Sequence, residues 1–294
     1  MLRARTATEL LRLMRPKQWV KSLFVFAGLL FGHAWTDPIL VKQVWSAALG
    51  FALVSSCIYI LNDIADRAAD RKHPIKRKRP LACGSVSLNA AVVLALICGL
   101  LGALLGYYAS PSVAGMLGLY ALLNVAYSAG LKRVPILDVF IIATGFMLRL
   151  LAGTSGVGIP PSQWLLLCGL TLTLFLGFAK RRAEISGEVD ELSLQRPVLR
   201  QYSPALLDQL TTICAAGIIM SYSLYTLSPD TIEKHGTSLL IITVPCVIYG
   251  VFRYLFLLHQ HRQGEDPAND ALRDPHLLLT TMLWAGLTVW VIAR

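Results

Sequence analysis

The chain reads as an all-α, polytopic membrane protein, and three observations predict it. Apolar residues make up 55% of the 294 positions and charged residues only 15%, where a soluble domain carries about 25% charged residues. Mean hydropathy is +0.59, with apolar runs long enough to cross a bilayer as helices recurring from end to end. The Lys and Arg residues gather in alternate connections between those runs. No long polar linker interrupts the pattern, so residues 1–294 read as a single integral domain.

The opening segment, 1–19, interleaves apolar residues with Arg3, Arg5, Arg12, Arg15 and Lys17. It lacks the uninterrupted apolar core and cleavage site of a signal peptide and reads as a basic amphipathic helix on the membrane surface. Nine spans follow, at 20–36, 42–62, 87–109, 112–129, 135–153, 163–180, 206–228, 237–258 and 276–293. The first is short and flanked by charge. With the N-terminus in the cytoplasm, the internal segments hold 22 of the 27 Lys and Arg residues, which sets the orientation by the positive-inside rule. Location in the cytoplasmic (inner) membrane follows, with the chemistry-capable loops inside. The net charge of +10 is then a property of loops beside anionic lipid and calls for no nucleic acid. The six cysteines form no C-x-x-C pair and read as small apolar residues; the six histidines show no metal-ligand spacing.

The second span ends in Asn62-Asp63-x-x-Asp66-x-x-x-Asp70. At about 100° per residue, Asp63 and Asp70 point nearly the same way and Asp66 lies to one side. Acids so close repel unless a cation lies between them, and oxygen ligands without His or Cys suit Mg²⁺. A solvated helix end is the plainer reading. Against it, seven basic residues follow within one short loop, a pattern that fits a metal-diphosphate site. Arg67, Arg77 and Arg79 are the nearest phosphate candidates. The breaks at Pro74 and Pro80 keep the loop from forming one helix.

A second constellation runs from Tyr127 through Lys132 to Asp138. An aspartate just inside a span needs a partner, and Lys132 or Arg149 is the candidate. Arg149, three turns deeper at nearly the same angle, should line a polar cavity. A third is Lys180-Arg181-Arg182-Ala183-Glu184, either a solvated helix end with an i,i+4 pair between Lys180 and Glu184 or a phosphate clamp. Weaker candidates are Lys17 and Lys21 as head-group contacts, Tyr222 and Tyr225 in the seventh span, and Arg253 in the eighth. Asp266, Asp270 and Asp274 read as solvated charges.

These residues resemble a known family. Asn62 to Asp70 is similar to the first aspartate-rich motif of the UbiA superfamily of intramembrane prenyltransferases, and Tyr127 to Lys132 resembles its Y-S-x-x-L-K element. Arg15-Pro16-Lys17-Gln18-Trp19-Val20-Lys21, Leu131 to Val139, Gly145 to Arg149 and Lys180 to Glu184 are similar to the decaprenyl-phosphate phosphoribosyltransferase branch. The resemblance implies nine helices around a central cavity open to the cytoplasm, with Mg²⁺ held by Asn62, Asp63, Asp66 and Asp70. It implies 5-phosphoribosyl 1-pyrophosphate as donor and a polyprenyl phosphate as acceptor for cell-envelope precursors. Lys180, Arg181, Lys132, Arg149 and Lys21 are then candidates for the phosphate ends. One departure stands out. Where aromatic prenyltransferases carry a second D-x-x-x-D-type motif, this chain has a basic run with one acid, Glu184. Prenyl transfer to an aromatic acceptor is the rival enzyme; a polyprenyl-lipid transporter is the rival of another class. A homo-oligomer is compatible with either.

Overall fold

The structure, a computed structural model, describes residues 2–186, 197–260 and 274–293, with residues 2–6 and 186 as backbone only. Every regular element among them is helical. In chain order they are α1 (Leu2–Met14), a 3₁₀ stretch (Pro16–Phe26), α2 (Ala27–Phe31), α3 (Pro38–Ala65), α4 (Arg67–Lys72), α5 (Leu88–Ala109) and α6 (Pro111–Ala129). There follow α7 (Leu137–Ala152), α8 (Gln163–Ser186), α9 (Pro204–Leu227), α10 (Pro229–His235), α11 (Val244–Gln260) and α12 (Pro275–Ile292).

Eight of these segments are long and apolar enough to cross a membrane, and they coincide with the second to ninth expected spans. The chain is an integral membrane protein. A recurring device starts the helices. Asp37, Ser110, Ser203, Ser228 and Asp274 each precede a proline, and each side chain accepts a backbone N–H from the first turn. The proline has no N–H to orphan, and the cap satisfies one of the first turn's remaining donors.

The first expected span is built differently. Residues 16–26 wind as a 3₁₀ helix, and five residues of α2 continue it. At the rises of the two helix types the run is about 30 Å long. Threefold spacing puts Trp19, Ser22, Val25 and Gly28 on one side, and the last three are buried. That side makes a close approach to another segment. A Cβ on Gly28 would stand 1.7 Å from the Gly153 carbonyl oxygen, and one on Gly153 would stand 1.7 Å from that of Val25. In lipid, apolar side chains gain little from touching each other instead of acyl tails, so small residues that let backbones meet carry the packing.

The described residues form two compact units. The first holds 1–129 and 148–160; the second holds 130–147 and 161–294. In the first, α3 packs along α5 and α6, with Val44, Phe51, Val113 and Ala152 in its core. Here α1 is not a free surface helix: Leu13 is buried against Ile60, Leu81 and Ala91. In the second, α8 packs along α9, and Val139, Phe175, Phe178, Leu207 and Leu257 form the core.

Candidate active site

Two charged clusters stand out, one in each unit. The first lies at the end of α3. Asp63 is 3% exposed and Asp70 4%. One guanidinium nitrogen, Arg79 Nη1, donates to both, at 3.0 Å to Asp63 Oδ1 and 2.7 Å to Asp70 Oδ2. Arg15 Nη2 donates to the same Asp63 Oδ1 at 2.6 Å. The expectation that Asp63 and Asp70 converge therefore holds. What lies between them is a guanidinium.

Arg15 was not among the expected site residues. It sits at the joint between α1 and the 3₁₀ stretch with φ 55° and ψ 59°, in the left-handed region. That conformation costs a residue with a Cβ about 1 kcal/mol. Its neighbours hold it there. Ser56 Oγ donates to the Met14 carbonyl at 2.8 Å, Trp19 Nε1 donates to Ser56 Oγ at 3.0 Å, and the Arg15 guanidinium lies 5.0 Å from the Tyr59 ring centre. Its only legible sign is its place before Pro16 in the basic run.

The loop after α4 is tied down by two arginines acting on backbone. Arg67 Nε donates to the Leu81 carbonyl at 3.1 Å and Arg71 Nε to that of Ala82 at 3.2 Å. Arg67, a phosphate candidate in the sequence, ties down the loop through its Nε. Arg79 follows this loop's 3₁₀ turn in extended backbone.

The expected cradle of Asp63, Asp66 and Asp70 with Asn62 is not assembled in this arrangement. Among the described residues no three His, Cys, Asp or Glu stand close enough to share a metal ion. Asp66 lies exposed at the joint between α3 and α4, and Asn62 Oδ1 accepts from Ser128 Oγ at 3.3 Å. The donor chemistry nonetheless fits a hard cation. The ligands are oxygens, and one oxygen each of Asp63 and Asp70 lies outside the arginine contacts.

The second cluster surrounds Asp138, which is wholly buried. Arg181 Nε donates to its Oδ2 at 2.7 Å and Tyr202 Oη to its Oδ1 at 2.7 Å. Arg181 Nη1 also donates to Glu184 Oε2 at 2.7 Å. Tyr202 accepts from the Ile136 backbone N–H, and Ile136 has φ 69°, an unusual conformation for a β-branched residue. Burial, with the Asp138 charge beside it, pushes the Tyr202 hydroxyl above the ordinary tyrosine range. One expectation is corrected here: Asp138 is matched by Arg181 and Tyr202 rather than Lys132 or Arg149. Arg181 is 2% exposed and bridges two acids. Tyr202 gave no sequence signal, because it lies 64 residues from Asp138.

Arg149 is 4% exposed, in the first unit. Its Nη2 donates to Ser55 Oγ at 2.9 Å and Tyr120 Oη at 3.0 Å, and its guanidinium lies 4.5 Å from the Tyr120 ring centre. Arg253 donates to both carboxylate oxygens of Asp274, at 3.2 and 2.7 Å, so Asp274 is a buried cap and not a solvated charge. Asp266 and Asp270 lie outside the described residues. Tyr222 Oη bonds Thr243 and accepts from Trp284 Nε1, a packing role. Lys17, Arg77 and Lys132 are exposed, while Lys21, Tyr127 and Lys180 are half-buried.

The family model described as the UbiA prenyltransferase family matches residues 22–273. A protein named decaprenyl-phosphate phosphoribosyltransferase from Corynebacterium glutamicum is 33% identical, over 97% of this chain and 87% of its own length. One of the same name from Mycolicibacterium smegmatis is 31% identical, over 94% of this chain and 90% of its length. The fold is similar to a UbiA homolog from Archaeoglobus fulgidus bound to GPP and Mg²⁺, with TM-score 0.72, 19% identity, and 97% and 100% of the two chains covered. With the family model matching most of the sequence, this chain belongs to the UbiA prenyltransferase family.

Proposed function

We propose that this chain transfers a 5-phosphoribosyl group from 5-phosphoribosyl 1-pyrophosphate to a polyprenyl phosphate of decaprenyl-like length, releasing pyrophosphate for cell-envelope precursor synthesis. The observation that carries the reading is the buried acid pair Asp63 and Asp70, held by guanidiniums at the end of a membrane helix. Two relatives of about 30% identity, named for this activity, support the choice of donor and acceptor.

In this reading the bond from ribose C1 to the diphosphate oxygen breaks, its electron pair leaving with pyrophosphate. An oxygen of the acceptor phosphate forms the new bond to C1. That oxygen is already anionic, so no general base is needed. Asp63, Asp66 and Asp70, with Asn62, would hold Mg²⁺, which neutralises charge building on the leaving diphosphate. Arg15 fixes the Asp63 carboxylate. Arg79, Arg77, Lys17 and Lys21 supply positive charge to the substrate phosphates. The 3₁₀–α2 run is the ninth crossing. Both units belong to one transferase domain, with N-terminus and active site on the cytoplasmic side of the inner membrane.

The test uses purified protein in detergent with Mg²⁺ and donor labelled in its ribose. Label entering the lipid phase only with polyprenyl phosphate is the expected result. A prenylated aromatic product from 4-hydroxybenzoate and a prenyl diphosphate, with no lipid label, would replace the donor and acceptor. No product from either would return weight to a transporter.

A further inference from the structure

Arg15 and Arg79 grip the same carboxylate oxygen in different ways. Arg15 is fixed: left-handed backbone, a proline after it, the Tyr59 ring beside its guanidinium, and the Trp19–Ser56–Met14 bonds around it. The two side chains are equally exposed, at 31% and 30%, and each contacts acid through one nitrogen; Arg79 differs in lying in extended backbone after a three-residue turn and in sharing its nitrogen between two acids. A guanidinium presents five donors in a fork shaped for paired phosphate oxygens. One nitrogen shared between two acids uses little of that capacity.

Charge sets the consequence. Asp63 and Asp70 carry two negative charges against two guanidiniums, so a divalent cation arriving alone meets acids already neutralised. A cation arriving with a diphosphate gives Arg79 new oxygens to bind as it gives up the old ones. We propose that Arg79 is an exchangeable counter-cation: it bridges Asp63 and Asp70 before the donor binds and moves to the donor's diphosphate as the metal takes its place. Arg15 stays on Asp63 throughout. Metal and diphosphate then bind as a cooperative pair, and a bare metal ion binds weakly. The inference rests on the diphosphate-donor reading above and adds the order in which the site fills.

The test measures Mn²⁺ binding to the full-length protein from the free-ion electron paramagnetic resonance signal, with no phosphate present. Arg79→Gln should bind Mn²⁺ about tenfold more tightly than wild type, because two buried acids lose a competitor. Lys78→Gln removes the same charge from the same loop without touching the acids and should change affinity less than threefold. Retention of radiolabelled pyrophosphate with saturating Mn²⁺ should fall at least about tenfold in Arg79→Gln and stay near wild type in Lys78→Gln. Arg79→Lys, which keeps a point charge without the fork, should keep the wild-type Mn²⁺ affinity and lose part of the pyrophosphate retention; it covers the case in which the glutamine variant fails to fold. Equal Mn²⁺ affinities in Arg79→Gln and Lys78→Gln, or undiminished pyrophosphate retention in Arg79→Gln, would overturn the exchange. If wild type transfers phosphoribose while these signatures are missing, the exchange falls and the function stands. If the signatures appear but no phosphoribose moves, the exchange stands and a different diphosphate donor is implied.

Discussion

The two charged clusters are made of the same residue types and differ in what they leave reachable. Asp138 itself is closed off: the acid is 0% exposed, Arg181 2%, and both carboxylate oxygens are taken. Around Asp63 the acids are buried, but the arginines that hold them have side chains 30–31% exposed, and each acid keeps one oxygen outside the arginine contacts. A buried ion pair with both partners satisfied specifies structure. A buried acid pair held by cations that still see solvent is suited to exchange. Counting charges in the sequence made both clusters candidates for phosphate; saturation and exposure separate them.

The comparison breaks most sharply on substitution. Asp63→Asn should lower transfer at least about a hundredfold, since it weakens both the proposed metal site and the Arg15 contact, while the thermal transition moves little. Asp138→Asn should do the reverse. Leaving Arg181 buried beside a neutral amide costs about 3–5 kcal/mol, read as loss of the folded fraction in detergent, with activity per folded molecule retained. Similar activity losses per folded molecule in both variants would erase the distinction.

A smaller effect sharpens the picture of the second cluster. Tyr202→Phe removes the hydrogen bond to Asp138 and the acceptor of the Ile136 N–H, for about 1–3 kcal/mol of stability. The wild-type tyrosine holds its proton more tightly folded than unfolded. Its contribution is therefore complete below the ordinary tyrosine pKa of about 10 and is lost as pH rises through the higher folded value. A thermal-shift series should show stability falling from about pH 10 upward in wild type, with that phase missing in Tyr202→Phe. An unchanged pH profile in the variant would remove Tyr202 from the cluster's energetics.

How much was legible in the sequence follows the same division. Eight helices were, because a span writes itself in consecutive residues and four of the eight open with a capping residue followed by proline. The convergence of Asp63 and Asp70 was, because it depends on helical spacing along one stretch. Arg79 was a candidate as one of seven charges, with nothing to single it out. Arg15 and Tyr202 were not legible as partners, since their acids lie 48 and 64 residues away and only packing brings them together. The first span's packing was hidden for the same reason: Gly153, which Val25 and Gly28 approach, lies far along the chain.

The smallest expected effect lies at Arg77, exposed in the same loop as Arg79. Arg77→Gln should raise the KM for 5-phosphoribosyl 1-pyrophosphate about two- to fivefold, as for one screened surface charge, and leave kcat unchanged. A loss as large as that of Arg79→Gln would mean that loop charge, not contact with the acids, governs donor binding.

The most direct test of the central claim uses a donor labelled with carbon in its ribose and phosphorus in its diphosphate. With polyprenyl phosphate present, the carbon label should enter the lipid phase and the phosphorus label should appear as aqueous pyrophosphate, one for one. Without acceptor neither should move, and Asp63→Asn should abolish both. Pyrophosphate release without acceptor, both labels travelling together, or full transfer by Asp63→Asn would contradict phosphoribosyl transfer at the Asp63–Asp70 site.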